Sequence, residues 1–204
     1  MSIGSEAYRE AADRLRLPEV ADRGALNQNP EKIGFWALVA EDFRAHGRNP
    51  FEQGFWTVFV HRFGNWRMGK PKIIRAPSTV LYWVMFKLVE WFCGMSVWYP
   101  VRLGRRVRFW HHSGIVISAR FLGDDVQVRQ GVTMGVARTD RLGELPIMED
   151  GVDIGAGAVI VGPILVGKGA RIAANALVFH DVPPGALAIG NPAQIRPPKE
   201  PNAL

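Results

Sequence analysis

The stretch Met148–Val178 reads MEDGVDIGAGAVIVGPILVGKGARIAANALV. Met148, Ile154, Ile160, Val166, Ile172 and Val178 recur every six residues. The residue that follows is often small, as at Gly155, Gly167 and Ala173. Four positions after each aliphatic residue stands a second small or branched one: Val152, Ala158, Ile164, Ala170, Ala176 and Val182. A period of six is neither the 3.6 of a helix nor the 2 of a strand. Repeated over consecutive units with glycines for tight corners, it is the pattern of a parallel β-helix. Each unit supplies one short strand and one turn, and three units close a triangular coil of about eighteen residues. Coils stack at the interstrand spacing of about 4.8 Å, so Ile154 lies against Ile172 one coil away.

Outward from this stretch the same register returns at Leu122, Val128 and Met134, and an earlier pair stands at Leu103 and Phe109. The fold expected is mainly β, a parallel β-helix over residues 96–196 whose coils end near residue 182, with a proline-rich tail at 197–204. Residues 1–95 follow another grammar. Phe35, Leu38, Val39 and Phe43 recur at helical steps, HGRNPFEQG (46–54) is a turn cluster, and FWTVFVHRFGNWRMG (55–69) is an apolar helix ending at Gly64 or Gly69. Residues 1–95 therefore read as an α-helical N-terminal region. The apolar segment 77–98 reads as a helix that starts after Pro77, with Ser78 or Thr79 as its cap. Lys87 and Glu90 interrupt it, and the uninterrupted apolar run is too short to span a bilayer. Its main reading is packing on the protein or on a neighbouring subunit. Its aromatic residues and the basic flank Lys70, Lys72 and Arg75 give peripheral membrane contact as the second.

The register breaks twice. Between Phe109 and Val116 there are seven residues instead of six, and the excess contains WHHSG. Between Met134 and Met148 there are fourteen where six or twelve would keep step. An excursion gives up pairing with the coils above and below, so the loop 136–147 reads as functional.

The chain has 204 residues, 48% of them hydrophobic and 22% charged, a globular composition. Its net charge of +6 calls for an anionic partner without choosing among nucleic acid, membrane surface and phosphorylated cofactor. Nucleic-acid binding rests on that charge alone and is not expected. The arginines Arg102, Arg105, Arg106 and Arg108 read instead as a subunit, membrane-surface or phosphate contact. Cys93, the one cysteine, excludes an internal disulfide and fits a reducing compartment. The N-terminus lacks an apolar signal segment. Together these point to the cytoplasm, with the inner face of the membrane as a second setting.

The repeat, followed by DVPPGALAIGNPAQI (Asp181–Ile195), resembles the hexapeptide-repeat acyltransferases. HHSGIVISARFLGDDVQVRQGVTMG (His111–Gly135) is similar to their serine acetyltransferase-like branch, which includes exopolysaccharide O-acetyltransferases. The resemblance implies a left-handed β-helix, a homotrimer with each active site between two subunits, acetyl-CoA as acyl donor and no metal. It also implies that the loop 136–147 closes over the cleft.

Acetyl transfer to a hydroxyl needs a base, a donor for the oxyanion and a slot for the cofactor. The resemblance aligns the family's general base with His111. His112 and Glu144 are candidates for support. His180, on a turn of the last coil, reads as solvent-facing. Ala156 and Ala174, eighteen residues apart, lie on one face one coil apart, where small side chains let an extended pantetheine arm approach the backbone. In the resembled family these positions and that of Gly135 contact coenzyme A, and Arg171 is a candidate partner for its phosphates. A three-histidine metal site of the carbonic anhydrase type does not fit His111 and His112, which adjoin.

The chain departs from the serine enzymes at three places. An Asp expected before the base is Trp110, an Asp expected near the first coil is Val97 or Trp98, and an Arg-His pair before a proline is Glu144-Leu145 before Pro146. Without those charges a zwitterionic amino acid would be poorly paired in a closed cleft. A sugar hydroxyl of a glycan or polysaccharide precursor is therefore the acceptor expected, with Trp110, Arg138 and Arg141 as its contacts. The alternatives are serine, as in cysteine biosynthesis, and a non-catalytic β-helix scaffold.

Overall fold

The structure, a computed structural model, describes residues 4–198. Residues 199–204, most of the expected tail, lie outside the described residues. Four helices come first: α1 (Glu6–Arg14), α2 (Phe35–Ala45), α3 (Gln53–Trp66) and α4 (Lys72–Cys93). The polypeptide then winds into the expected left-handed parallel β-helix of about five turns.

Three sheets form the sides of the prism. The first holds β1 (Met95–Val97), β4 (Ile115–Ile117), β7 (Thr133–Gly135), β10 (Val159–Val161) and β13 (Leu177–Val178). The second holds β2 (Arg102–Leu103), β5 (Phe121–Leu122), β8 (Ile147–Met148) and β11 (Leu165–Val166). The third holds β3 (Arg108–Phe109), β6 (Gln127–Val128), β9 (Asp153–Ile154), β12 (Arg171–Ile172) and β14 (Leu187–Ile189), and β15 (Gln194–Arg196) closes it antiparallel to β14. The coils therefore run past residue 182 to Ile189.

The residues of the six-period are the core. Leu122, Val128, Met148, Ile154, Ile160 and Val166 are fully buried, and so are Val126, Val132, Val152, Ala158, Ala170 and Ala176 of the second set. Ile154 pairs with Ile172, as the spacing requires. The small residue after each inward position has a steric reason. A Cβ added at Gly155 would lie 2.5 Å from the Ala174 nitrogen of the next coil.

At the first break the register differs from the simple count. Val116 points outward, and Ile117 is the buried residue that pairs with Met134. The step from Phe109 to the next inward residue of the repeat is thus eight, and the following step, Ile117 to Leu122, is five. The corner holding WHHSG is bulged, and the next corner is shortened to restore step.

Pro77 lies inside α4, which begins after Pro71. Ser78 and Thr79 do not cap the helix. Their hydroxyls donate to the Ile74 and Arg75 carbonyls one turn back, at 2.8 and 2.7 Å. The inner face of α4 buries Tyr82, Phe86, Val89 and Cys93. On its outer face Ile73, Val80, Val84 and Trp91 form one exposed stripe, at steps of seven, four and seven. Ile74, Leu81, Leu88 and Phe92 form a second stripe beside it. No helix among the described residues is long and apolar enough to cross a membrane.

A buried ion pair ties the helices to the first coil. Arg62 on α3 binds Asp42 on α2 at 2.9 Å, and its remaining donors reach the Leu103 and Gly104 carbonyls at 2.9 and 2.6 Å. The chain after α1 crosses the second sheet, where Arg102 donates to the Leu15 carbonyl, Arg120 to that of Pro18, and Arg23 to that of Ala119.

Candidate active site

The corner between the third and first sheets carries the histidines. Each coil places equivalent residues there in a column. The amide of Gly131 donates to the Ser113 carbonyl (3.1 Å), that of Gly157 to Gln130 (2.9 Å), and that of Asn175 to Ala156 (2.8 Å). Ser113, Gln130, Ala156 and Ala174 are thus one column. Its ends are three coil steps apart, about 14 Å. The predicted cofactor positions Ala156 and Ala174 stand in it, and His111 is two residues before its first member.

His111 has φ of +58°. Positive φ is common at the corners of this solenoid, but the corresponding turn in the later coils has it once, at Gly131, Gly157 or Asn175. In the first coil it occurs at His111, Ser113 and Gly114. A left-handed histidine stores backbone strain on the order of 1 kcal/mol or more and persists only where its surroundings fix it. Here both ends are pinned: the Trp110 amide donates to the Val128 carbonyl at 2.8 Å, and the Ser113 amide to that of Cys93 at 3.0 Å. Two residues before His111, the Phe109 amide donates to His46 Nε2 at 3.4 Å, while His46 Nδ1 bonds the Asp42 carbonyl at 2.7 Å. Burial lowers the His46 pKa below the usual imidazole range, which keeps that ring neutral and able to accept. His111 and His112 are both exposed on the outer edge of this fixed corner.

The loop 136–147 leaves from another edge, after β7 on the first sheet, and returns to β8 on the second. It adds eight residues to the six-residue step (fourteen less six). Gly135 belongs to the base of this loop, at the far end of β7 from the histidine corner, and accepts from the Gly162 amide at 3.0 Å. Arg171 is exposed on β12, on the side of the third sheet that leads to the Ala174 corner. One chain therefore brings His111, His112, Ala156 and Ala174 to one corner and holds Gly135 and the loop at another.

The loop's charges are matched among themselves. Arg138 holds Asp140 with two bonds of 3.0 Å, and Arg141 holds Glu144 at 3.2 Å. Glu144 is thus engaged by Arg141 rather than by His111 of its own chain. Trp110 is half-buried against the third sheet, its Nε1 donating to Gln127 at 2.6 Å and the Arg108 guanidinium stacked 3.3 Å from its ring centre. The arginine cluster is likewise occupied inside the chain: Arg105 binds Glu41, Arg106 binds Asp125 and Arg102 binds Leu15. Those acids lie 19 to 64 positions away, so nothing local along the chain signals the pairing. His180 is exposed against Phe179. Cys93 is buried, and burial raises its thiol pKa, a poor setting for a nucleophile.

Two features of the site had no sequence signal. Gln130 fills the column position where later coils have alanine. Tyr8 on α1 donates to the Leu145 carbonyl at 2.8 Å, fixing the base of the loop from 137 residues away, and burial raises its hydroxyl pKa.

No family model matches the chain. It is 34% identical over 212 residues to the serine acetyltransferase of Salmonella typhimurium, a match covering 95% of this chain and 75% of that protein. It is 34% identical over 145 residues to the serine acetyltransferase of Mycobacterium tuberculosis, where the match covers 70% of this chain but 60% of the relative. Among solved structures, serine acetyltransferase of Neisseria gonorrhoeae superposes with a TM-score of 0.66 at 28% identity, covering 83% of this chain and 69% of that one. The soybean apoenzyme superposes at 0.64 with 30% identity, covering 79% and 69%. With the β-helix, the histidine corner and this similarity along nearly its whole length, the chain belongs to the serine acetyltransferase family.

Proposed function

We propose that this protein transfers the acetyl group of acetyl-CoA to a hydroxyl, and that it works as a homotrimer. The corner column that holds Ala156 and Ala174 and begins beside a strained, exposed His111 carries this reading. His111 takes the proton of the acceptor hydroxyl as its oxygen attacks the thioester carbonyl. The tetrahedral oxyanion collapses, the carbon–sulfur bond breaks, and His111 returns the proton to the departing thiolate. Ala156 and Ala174 leave backbone groups open to the pantetheine arm, with Arg171 near its phosphates. The loop 136–147 cannot join His111 at one corner of its own chain, so a neighbouring copy supplies it together with Gly135, Arg138 and Arg141. The reading places the enzyme in the cytoplasm, in keeping with one free, buried cysteine.

L-serine is the acceptor that the names of the relatives favour, ahead of the sugar expected from the sequence. One observation keeps the sugar as a second reading: the loop's cations are each held by a loop carboxylate, and Glu144, Leu145 and Trp110 stand where charges for a zwitterion were expected. The test is thiol release from acetyl-CoA by wild type and His111→Ala, with L-serine and with a panel of sugars. The variant loses about 10²–10⁴-fold with whichever acceptor works. Release with serine alone decides for serine, and release with sugars alone decides for the second reading. Full activity in His111→Ala removes the base assignment.

A further inference from the structure

We propose that the outer face of α4 docks on an anionic lipid bilayer. The two exposed stripes lie side by side on this helix, and Trp91 and Phe92 at its end are each 75% exposed. A face this apolar on a helix whose other side is already buried in the protein marks an interaction site. Beside it, an apolar groove of about 310 Å³ opens between α3 and α4, lined by Trp56, Val60, Met85, Leu88 and Phe92 with no charged side chain. Trp83 and Trp98 extend the aromatic surface, and indoles prefer a membrane–water interface.

Charge selects the occupant. Residues 53–89 contain six Lys or Arg and no Asp or Glu. Arg62 and Arg67 are buried. Of the others, Lys70 and Lys72 flank the exposed face and Lys87 lies at its edge, whereas Arg75 continues the inner line of Tyr82 and Val89; among the described residues only Lys87 of these is paired with an acid, Glu90. An apolar, aromatic face rimmed by cations complements an anionic membrane surface. A second copy docked face to face through a two-fold contact would bring the same cations against their own kind, and a trimer holds no such contact. The end of α4 adjoins the histidine corner, where the Cys93 carbonyl accepts from the Ser113 amide, so vesicle binding is measured without substrate and is read apart from the reaction.

Co-sedimentation of the full-length protein with vesicles tests this, using pure phosphatidylcholine and phosphatidylcholine mixed with phosphatidylglycerol. The wild type should partition onto the mixed vesicles about tenfold or more better than onto the neutral ones, and less well at high salt. The variant Trp91→Glu with Phe92→Glu should lose at least tenfold of that binding. A double reversal, Lys70→Glu with Lys72→Glu, should lose the preference for anionic lipid. Thermal melts and light scattering of each variant establish that it is folded and in its usual assembly. Wild type that stays in the supernatant with both vesicles overturns the proposal, as does equal binding by the Trp91 and Phe92 variant. A larger assembly that this variant breaks apart, with no vesicle binding, gives the face to a second copy and overturns it too.

Discussion

Ile154 and Ile160 of the β-helix expose nothing to solvent, whereas Ile73 on α4 is 84% exposed and Trp91 75%. Both regions are rich in apolar residues, and they differ in how they dispose of them. In the solenoid each inward side chain meets its equivalents in the coils above and below, so repetition itself completes the burial. On α4 the apolar residues surround the helix, and α3 and the first coil can cover one side only. Hydrophobicity alone thus says little about burial. The period of the pattern decides how much of it the chain can bury by itself.

Removing the carboxylate that balances Arg62, the residue bridging α3 to the first coil, should have the largest effect on stability. Asp42→Ala strands the Arg62 guanidinium in the interior, where both side chains of the pair are almost wholly buried. It should cost about 4 kcal/mol in urea unfolding. Next comes a deletion inside the solenoid: Ile154→Ala, at a position with no exposure, should cost about 3 kcal/mol in the same measurement.

The helical region also carries a pH dependence. His61 is fully buried, its Nε2 bonds the Val101 carbonyl at 2.8 Å, and burial lowers its pKa to about 3. The folded state therefore keeps the ring neutral while the unfolded state takes up a proton below about pH 6.5. Stability is fully present above pH 6.5 and is lost as pH falls toward 3, by on the order of 3 kcal/mol at pH 4. Urea unfolding across this range should show the loss, and His61→Gln should flatten the slope. The smallest effect sharpens the comparison. Trp91→Ser, on the exposed face, should change stability by no more than about 0.5 kcal/mol. A loss like that of Ile154→Ala would mean that α4 is covered by its own protein after all.

The solenoid was legible because its rule is local: Met148 to Val178 repeats six residues at a time, and every such residue is buried in the structure. The loop 136–147 was legible as the place where the count fails. The count misled at Val116, because the corner with His111 has two residues more than a regular turn and Ile117 takes the inward position. The helix-start signal misled at Pro77, since packing of α4 on α3 carries the helix through a residue that usually begins one. Of the candidate site, Ala156 and Ala174 share a corner with His111, whereas Gly135 and Glu144 belong to another edge.

By itself the sequence determined the β-helix, its inward residues, the loop and the histidine pair, because each depends on spacing along the chain. The tertiary structure decided that His111 is held in a left-handed turn, that the loop's charges pair with one another, and that Tyr8 fixes the loop from α1. It also decided which side of α4 is left bare. These depend on contacts between residues far apart in sequence, which no local period encodes.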